Sequence, residues 1–563
     1  MYRKLFILLL TGLWGIGVSA QDIDSLLATM TRREKIAQII IDVVESGEDP
    51  SVRDRHEQWV REGLGGLIVM DDGLAPCLQA INELQTLARI PMIVSIDGEW
   101  GAAMRFYEYA AFPRAMQLGA LDDEGLVEQA GYEVGRQLRE IKIFVNYAPV
   151  VDVNNNPANP VINTRSFGED RERVARFGAA FMRGMRKAGV YGSAKHFPGH
   201  GDTDVDSHLG LPELPFDRAR MDSLELYPFR RLIDEGVEMV MVGHLSVPAL
   251  DPSGTAASVS RPIVTGLLRD EMGFRGIIIT DALGMGGVAG DHENAAFAAY
   301  KAGADILLMP QDTRQTIDEL DAAFRRGELD EDGLDIRVRK MLELKKKAGL
   351  LAADYSPFVD TAYALSRTVR PETEDLIQRL CDRSMTVVRG KLRRPLTLHR
   401  RMAFTTRPKV AYVSFNADSL AEDAFLKELS RHGRLARFNL PGDASPQQID
   451  SVEALIKGYR KVIVGIHAGT PVAHTGGPQR FATIDPLRFA QLAKWSRKHR
   501  LYGVFWGNPY ALNVLSDYNR FKTFIIAYSD TEYNNIAAAR ALTEYHSAQG
   551  TLPVSAGGLP AGY

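Results

Sequence analysis

Eight times between residues 39 and 309 an apolar, β-rich run recurs. The runs are Ile39–Val44, Gly66–Met70, Met92–Ile96, Ile143–Tyr147, Val190–Ala194, Met239–Val242, Ile277–Thr280 and Asp305–Met309. Amphipathic segments separate most of them. Glu124–Glu140, Arg171–Lys187, Asp222–Glu235 and Ile263–Glu271 all carry apolar residues at three- and four-residue spacing. Strand alternating with helix implies parallel strands joined by right-handed crossovers. Eight such units over about 310 residues fit a (β/α)8 barrel better than an open sheet.

The residues just past the runs narrow the reading further. Asp97 comes after the third, Asp152 just beyond the fourth, Lys195 and His196 after the fifth, His244 after the sixth and Asp281 after the seventh. The carboxyl ends of barrel strands converge on one face, where active sites lie. Scattered surface charges would not recur so regularly at that place, so a single polar crater is expected.

Residues 193–208 are the most charged of these strand ends: Lys195-His196-Phe197-Pro198-Gly199-His200-Gly201, then Asp202, Asp204, Asp206 and His208. So many titratable groups on Pro/Gly-broken backbone are costly in a packed core, and loops at element ends concentrate binding and catalytic groups. Asp202, Asp204, Asp206 and Glu213 match positions 1, 3, 5 and 12 of a calcium loop. The glycine that loop requires at its sixth position is here Ser207, and Pro212 precedes Glu213, so that reading is rejected. No Cys cluster or His-x-x-x-His helix supports another metal site. No metal or cofactor is expected.

Beyond the barrel, a charged helix near 334–347 closes the first domain and a linker comes next. A second alternating region has strand-like runs Met385–Val388, Val410–Phe415, Val462–Ile466, Tyr502–Trp506 and Phe524–Tyr528. It carries no Gly-x-Gly-x-x-Gly turn and is not read as dinucleotide-binding. Gly469–Arg480 reads as a surface loop and Gly550–Tyr563 as a tail or the start of a continuation. The expected class is α/β: a TIM-like (β/α)8 barrel over 21–350, a linker over 351–375 and an α/β/α sandwich over 376–563.

Residues 1–20 have the shape of a secretory signal, with Arg3-Lys4, an apolar Leu5–Leu10 core and small residues up to Ala20. That predicts cleavage near Ala20 and a periplasmic or extracellular protein. The run is too short and Gly-interrupted to span a membrane. Cys77 and Cys381, the two cysteines, fall in different expected domains, which predicts two buried, unpaired thiols. A net charge of −4 with no basic run argues against a nucleic-acid surface. Oligomeric state has no signature in the chain.

Asp281, after a buried β run, suits a nucleophile or electrostatic stabiliser, or equally a cap for the next helix. His208, two residues after Asp206, suits a general acid/base held in one tautomer by a carboxylate. The bland reading of that pair is two solvated loop side chains. Together the three supply what double-displacement glycoside cleavage needs.

At these residues the chain resembles the β-N-acetylglucosaminidases of glycoside hydrolase family 3. The run Lys195–Thr203 with Asp206-Ser207-His208 is similar to their signature. Asn159-Pro160-Val161-Ile162 with Arg165–Asp170 is similar to their arginine motif. Val242-Gly243-His244 and Thr280-Asp281-Ala282-Leu283 are similar to their histidine and nucleophile strands. The likeness covers roughly residues 30–350, and the second domain by architecture.

The resemblance implies a retaining hydrolase. Asp281 would form a glycosyl-enzyme. His208, oriented by Asp206, would protonate the leaving sugar and then activate water. Lys195, His196, Arg165, Asp97 and Arg105 would hold sugar hydroxyls, and His244 is counted with them as substrate-binding. The second domain need not supply a catalytic group. One stretch departs from the family: Asp97-Gly98-Glu99-Trp100-Gly101 stands where Asp-Gln-Glu-Gly-Gly is usual, and Trp100 is read as a sugar-stacking platform in preference to simple packing. The expected substrate is a small carbohydrate, a GlcNAc-terminated glycoside or muropeptide. A β-glucosidase, a phosphorylase of the same family and a non-catalytic carbohydrate-binding protein are the alternatives. Assistance from the acetamido group is the mechanistic runner-up.

Overall fold

The computed structural model describes residues 22–45, 50–70, 73–289, 294–390, 396, 410–417, 419–468, 484–544 and 548–563. The signal-like segment and the Gly469–Arg480 loop lie outside them.

Eight parallel strands form the first sheet: β1 (Ile40–Val44), β2 (Gly66–Val69), β3 (Ile93–Ile96), β4 (Val145–Asn146), β5 (Tyr191–Phe197), β6 (Met239–Val242), β7 (Ile277–Thr280) and β8 (Leu307–Leu308). Their order is β7-β6-β5-β4-β3-β2-β1-β8, and a parallel bridge from Ile279 to Ile306 closes the ring. Alternate residues separate into two layers, as the pleat requires. Ile41, Ile68, Ile93, Met241 and Ile279 point inward and pack with Met341 and Leu344 of the helix Glu331–Lys347 beneath the barrel. Ile40, Leu67, Val69, Val94 and Ile96 face the surrounding helices. Burial on both faces is why these strands read as continuous apolar runs.

Three strands differ from their runs for local reasons. β4 stops at Asn146, shortly before Pro149, which has no N–H to donate to a ladder. β8 stops where Met309 turns to φ 45°, a conformation that ends extended pairing. β5 goes the other way and carries Lys195, His196 and Phe197 into the sheet, with Gly243 N–H bonding the Phe197 carbonyl at 2.9 Å.

The helices Glu124–Glu140 and Arg171–Lys187 form over the expected residues and pack in close contact. A Cβ on Gly131 would sit 2.2 Å from the Phe181 carbonyl, and one on Gly184 2.1 Å from that of Glu128, so only glycine permits the approach. At the start of the chain two helices, Ile23–Thr29 and Arg32–Gln38, follow one another. Thr31 and Glu34 form a reciprocal capping box at the break.

The second sheet has the order β11-β10-β12-β13-β14-β9. Its members are β9 (Thr386–Arg389), β10 (Val410–Phe415), β11 (Leu435–Leu440), β12 (Lys461–His467), β13 (Arg500–Trp506) and β14 (Thr523–Ile526). β9 is antiparallel and the others parallel. β11 was not among the expected runs: it is a half-exposed edge strand whose Arg437 and Asn439 mask the apolar pattern.

The stretch expected as a linker is partly helical. It holds the helix Thr361–Ser366 and the first residues of Pro371–Ser384, and Asn82 ties it to the barrel through both polar groups of Val359, each at 2.9 Å. The last residues are not a loose tail. Thr551 N–H bonds the Ala120 carbonyl at 2.9 Å, Glu169 N–H bonds that of Pro553 at 3.1 Å, and Leu552, Val554 and Ala556 are buried. Cys77 and Cys381 are both buried and form no disulfide with each other. No helix among the described residues is long and apolar enough to cross a membrane.

Candidate active site

The carboxyl ends of the barrel strands surround a cavity of about 370 Å³ whose lining includes Asp97, Arg105, Arg165, Lys195, His196, His208 and Asp281. Seven of the ten residues picked out from sequence therefore share one space. No described side chain of the second domain lines it.

One wall is a chain of ion pairs. Lys195, 2% exposed, reaches Asp97 Oδ1 at 2.6 Å and Glu99 Oε1 at 2.9 Å. Arg165 holds Glu99 in a fork, Nη2 to Oε1 at 2.7 Å and Nε to Oε2 at 3.0 Å. Arg105 meets Asp97 Oδ2 at 3.1 Å. Buried charges of this kind survive only when paired. Burial pushes Asp97 upward, but Lys195 and Arg105 outweigh it and hold its pKa at about 2. Burial opposes ionisation of Glu99 as well, yet Arg165 and Lys195 hold it well below the usual carboxylate range. Burial would strip Lys195 of its proton, and the same two carboxylates raise its pKa instead.

Glu99 was not singled out from sequence. The available signal was local: Glu99 stands two residues past Asp97 in the same strand-end stretch.

Asp152 is fully buried behind this wall. It accepts from the backbone N–H of His196 at 3.1 Å, that of His200 at 2.7 Å, and His196 Nδ1 at 2.8 Å. Arg165 Nη2 lies 3.3 Å from His196 Nε2, and because a guanidinium only donates, that nitrogen is the acceptor. His196 therefore donates through Nδ1 and accepts through Nε2. His200, bonded to Thr203 and Ser207, is kept neutral by burial, which lowers its pKa to about 4.

Asp281 ends β7, half-buried on the cavity, with Oδ1 accepting the Ala282 N–H at 2.9 Å. Burial pushes its carboxyl up, and neighbouring groups, the Ala282 N–H and the Lys195 ammonium among them, bring it below the ordinary value. His208 stands on an exposed loop. Its Nδ1 donates to Asp206 Oδ1 at 2.7 Å, and its backbone N–H to the same oxygen at 2.9 Å. The loop is tied to the turn after Asp281: Gly287 N–H bonds the Ser207 carbonyl at 3.1 Å and Gly286 N–H that of His208 at 3.3 Å. A Cβ on either glycine would come within 2.8 Å of those carbonyls. The carboxylate and the imidazole are thus held on one connected piece of backbone.

The other three candidates stand outside the lining. Asp206 supports His208 from behind. His244 is buried, donates Nε2–H to the Ala282 carbonyl at 3.0 Å and accepts from Ser258 at 2.7 Å, so it holds the Asp281 turn rather than a ligand. Trp100 packs against the core with the Arg114 guanidinium 4.1 Å over its ring. One face of the ring is covered by Arg114, and Trp100 is not part of the cavity lining.

The second domain buttresses the β4 loop from outside. Asn508 bonds Asn163, and Tyr510 OH donates to the Asn154 carbonyl at 3.1 Å.

Comparison with known proteins agrees with this geometry. A family model described as the glycosyl hydrolase family 3 N-terminal domain matches residues 31–344. Beta-hexosaminidase A of Pseudoalteromonas piscicida is 35% identical over 322 residues, 51% of this chain and 54% of that protein. The beta-N-acetylglucosaminidase/beta-glucosidase of Cellulomonas fimi is 30% identical over 337 residues, 58% of this chain and 59% of that one. The chain thus spans little more than half the length of these two relatives. The beta-hexosaminidase of Idiomarina loihiensis is 31% identical over 297 residues, which is 88% of its own length. Among solved structures, a glycoside hydrolase family 3 beta-N-acetylglucosaminidase from Paenibacillus sp. str. FPU-7 superposes with a TM-score of 0.76 at 29% identity. That match covers 93% of this chain and 98% of that one. A beta-glucoside phosphorylase shares the fold, with a TM-score of 0.79 at 21% identity. With more than half of its residues matched by the family model and both domains matched by solved structures, this chain belongs to glycosyl hydrolase family 3.

Proposed function

We propose that the chain is a retaining exo-β-N-acetylglucosaminidase that removes terminal β-GlcNAc from cell-wall-derived or other glycosides. The observation that carries this reading is that Asp281 and the Asp206-supported His208 open on one small cavity walled by Arg105, Asp97, Lys195, Arg165 and His196. A blind, charged cavity suits one terminal sugar. Arg105, Arg165 and Lys195 donate to its hydroxyls, and Asp97 accepts from them.

Asp281 attacks the anomeric carbon through Oδ2, since Oδ1 is held by Ala282 N–H. The C–O bond breaks as His208, protonated, gives its Nε2 proton to the departing oxygen. A glycosyl ester on Asp281 results, and the imidazole is left neutral. It then takes a proton from water, whose oxygen attacks the same carbon and frees Asp281. Asp206 keeps the Nδ1 proton in place throughout and stabilises the imidazolium.

The names of the relatives support a hexosaminidase, and that of the Cellulomonas fimi protein keeps a glucosidase as second reading. The fold likeness to a phosphorylase keeps phosphate as an alternative acceptor to water. The signal-like residues 1–20 support export to the periplasm or beyond.

Kinetics of p-nitrophenyl GlcNAc and p-nitrophenyl glucoside, with and without phosphate, separate these readings. Asp281→Asn should lower kcat by about 10³-fold or more while sparing binding. A 2-fluoro sugar should leave its adduct on Asp281 in the mass spectrum. Near-normal turnover by Asp281→Asn would remove that residue as nucleophile.

A further inference from the structure

The cavity has two unlike arcs. The ion pairs occupy the side built by the β3, β4 and β5 ends. On the side built by β7, β8 and β2, Ile68, Met70, Met285, Leu308 and Met309 line it, and none of them has a side-chain hydrogen-bond donor. Met70, Met285 and Met309 are half-buried, as is Met104 across the opening, so thioethers from four separate strand-end segments show at the mouth. Three residues after Met104 stands Tyr107, 85% exposed, whose ring lies 3.8 Å from where a Gly73 Cβ would be. It links the Met104 segment to the one after Met70.

The chemistry of the site gives this rim a place in the reaction. In-line attack by Asp281 sends the leaving group to the opposite face of the sugar. His208, the group that protonates it, is the exposed member of the site. The aglycone therefore leaves across the mouth, over the methionines. A hydroxyl-rich aglycone would lose water there and find no side-chain donor on these five residues in exchange. An apolar one would gain its transfer free energy, and flexible, polarisable thioethers adapt to varied shapes.

We propose that the methionine rim, extended by Tyr107, is the leaving-group subsite and that it selects aglycones presenting an apolar or aromatic face next to the glycosidic oxygen. This rests on the glycosidase reading above and narrows its substrate class. Direct binding of uncleavable ligands tests it without relying on turnover.

Calorimetry with methyl and octyl 1-thio-β-N-acetylglucosaminide should show the octyl compound binding about 50-fold tighter, the effect of burying about three methylenes. In the full chain carrying Met285→Gln and Met309→Gln together, side chains of similar size but polar, that ratio should fall to about 5-fold. An octyl-to-methyl ratio near one in the wild type, or one unchanged in the double variant, overturns the proposal. If neither GlcNAc ligand binds and aryl-GlcNAc is not cleaved, it is the sugar assignment that falls. The methyl and octyl thio-β-glucosides then read the rim in the same way, and lack of a chain-length effect in both series counts against it.

Discussion

Two lysines lie buried at opposite ends of one barrel, and the protein treats them in opposite ways. Lys195, at the carboxyl end of β5, is 2% exposed; Lys345, on the closing helix at the amino end, is 0% exposed. The first is set between Asp97 and Glu99 and its pKa is raised. Among the described residues the second bonds only the Gln38 side-chain oxygen, and burial alone drags it down to about 7. Burial therefore does not decide whether a buried amine is charged; the carboxylates around it do. One end of the barrel keeps a permanent cation where sugar hydroxyls are expected. The other holds an amine close to neutrality, where it serves packing.

The strongest way to break the contrast is to remove the upper cation. Lys195→Met leaves Asp97 and Glu99 short of a partner and takes away a hydroxyl donor. Catalytic efficiency on the cleaved aryl glycoside should fall by about 10³-fold. Lys195→Arg should not restore it, because a fork cannot replace a point charge between two carboxylates. Full activity in Lys195→Met would mean that the ion-pair wall does not touch substrate.

The lower lysine should show itself in stability rather than rate. Between pH 7 and its ordinary pKa near 10.4, the unfolded chain holds a proton on Lys345 that the folded chain releases, so stability rises with pH. Denaturant melts from pH 7 to 9.5 should show a gain of up to about 3 kcal/mol from this group. Lys345→Met should flatten that slope and leave kcat unchanged. A slope identical in the two proteins would refute the shift.

At the acid end the effect is smaller and of the same sense, stability again rising with pH. Asp97 titrates at about 2 in the folded protein, against about 3.9 when unfolded. Its share of stability is fully present above pH 4 and is lost as pH falls towards 2, about 2 kcal/mol in all. Lys195→Met should move that loss to higher pH, which acid melts would detect.

Much of the site was legible because chemistry at a strand end leaves a visible mark. Asp97, Lys195, His196 and Asp281 each interrupt an apolar run at the place where a barrel strand emerges. His208 and Asp206 were readable as a pair because they are two residues apart, and local bonds follow sequence distance. Glu99 was not, since its partners Arg165 and Lys195 lie 66 and 96 positions away. Trp100 misled for the same reason: an aromatic beside a site suggests stacking on sugar, and only the fold brings Arg114 onto its face. The edge strand β11 was hidden because one half-exposed strand need not be apolar.

The alternation of runs was enough to point to parallel strands, because strands buried on both faces must be apolar and must be joined by crossovers, and their number, eight, favoured a barrel over an open sheet. It also placed the polar residues at one end of that barrel. Which charges meet, which nitrogen of His196 carries the proton, and whether a buried lysine stays charged were settled by the folded chain alone. Those outcomes depend on distances of a few ångströms between residues far apart in the chain, and electrostatic energies in a dry interior change steeply over such distances.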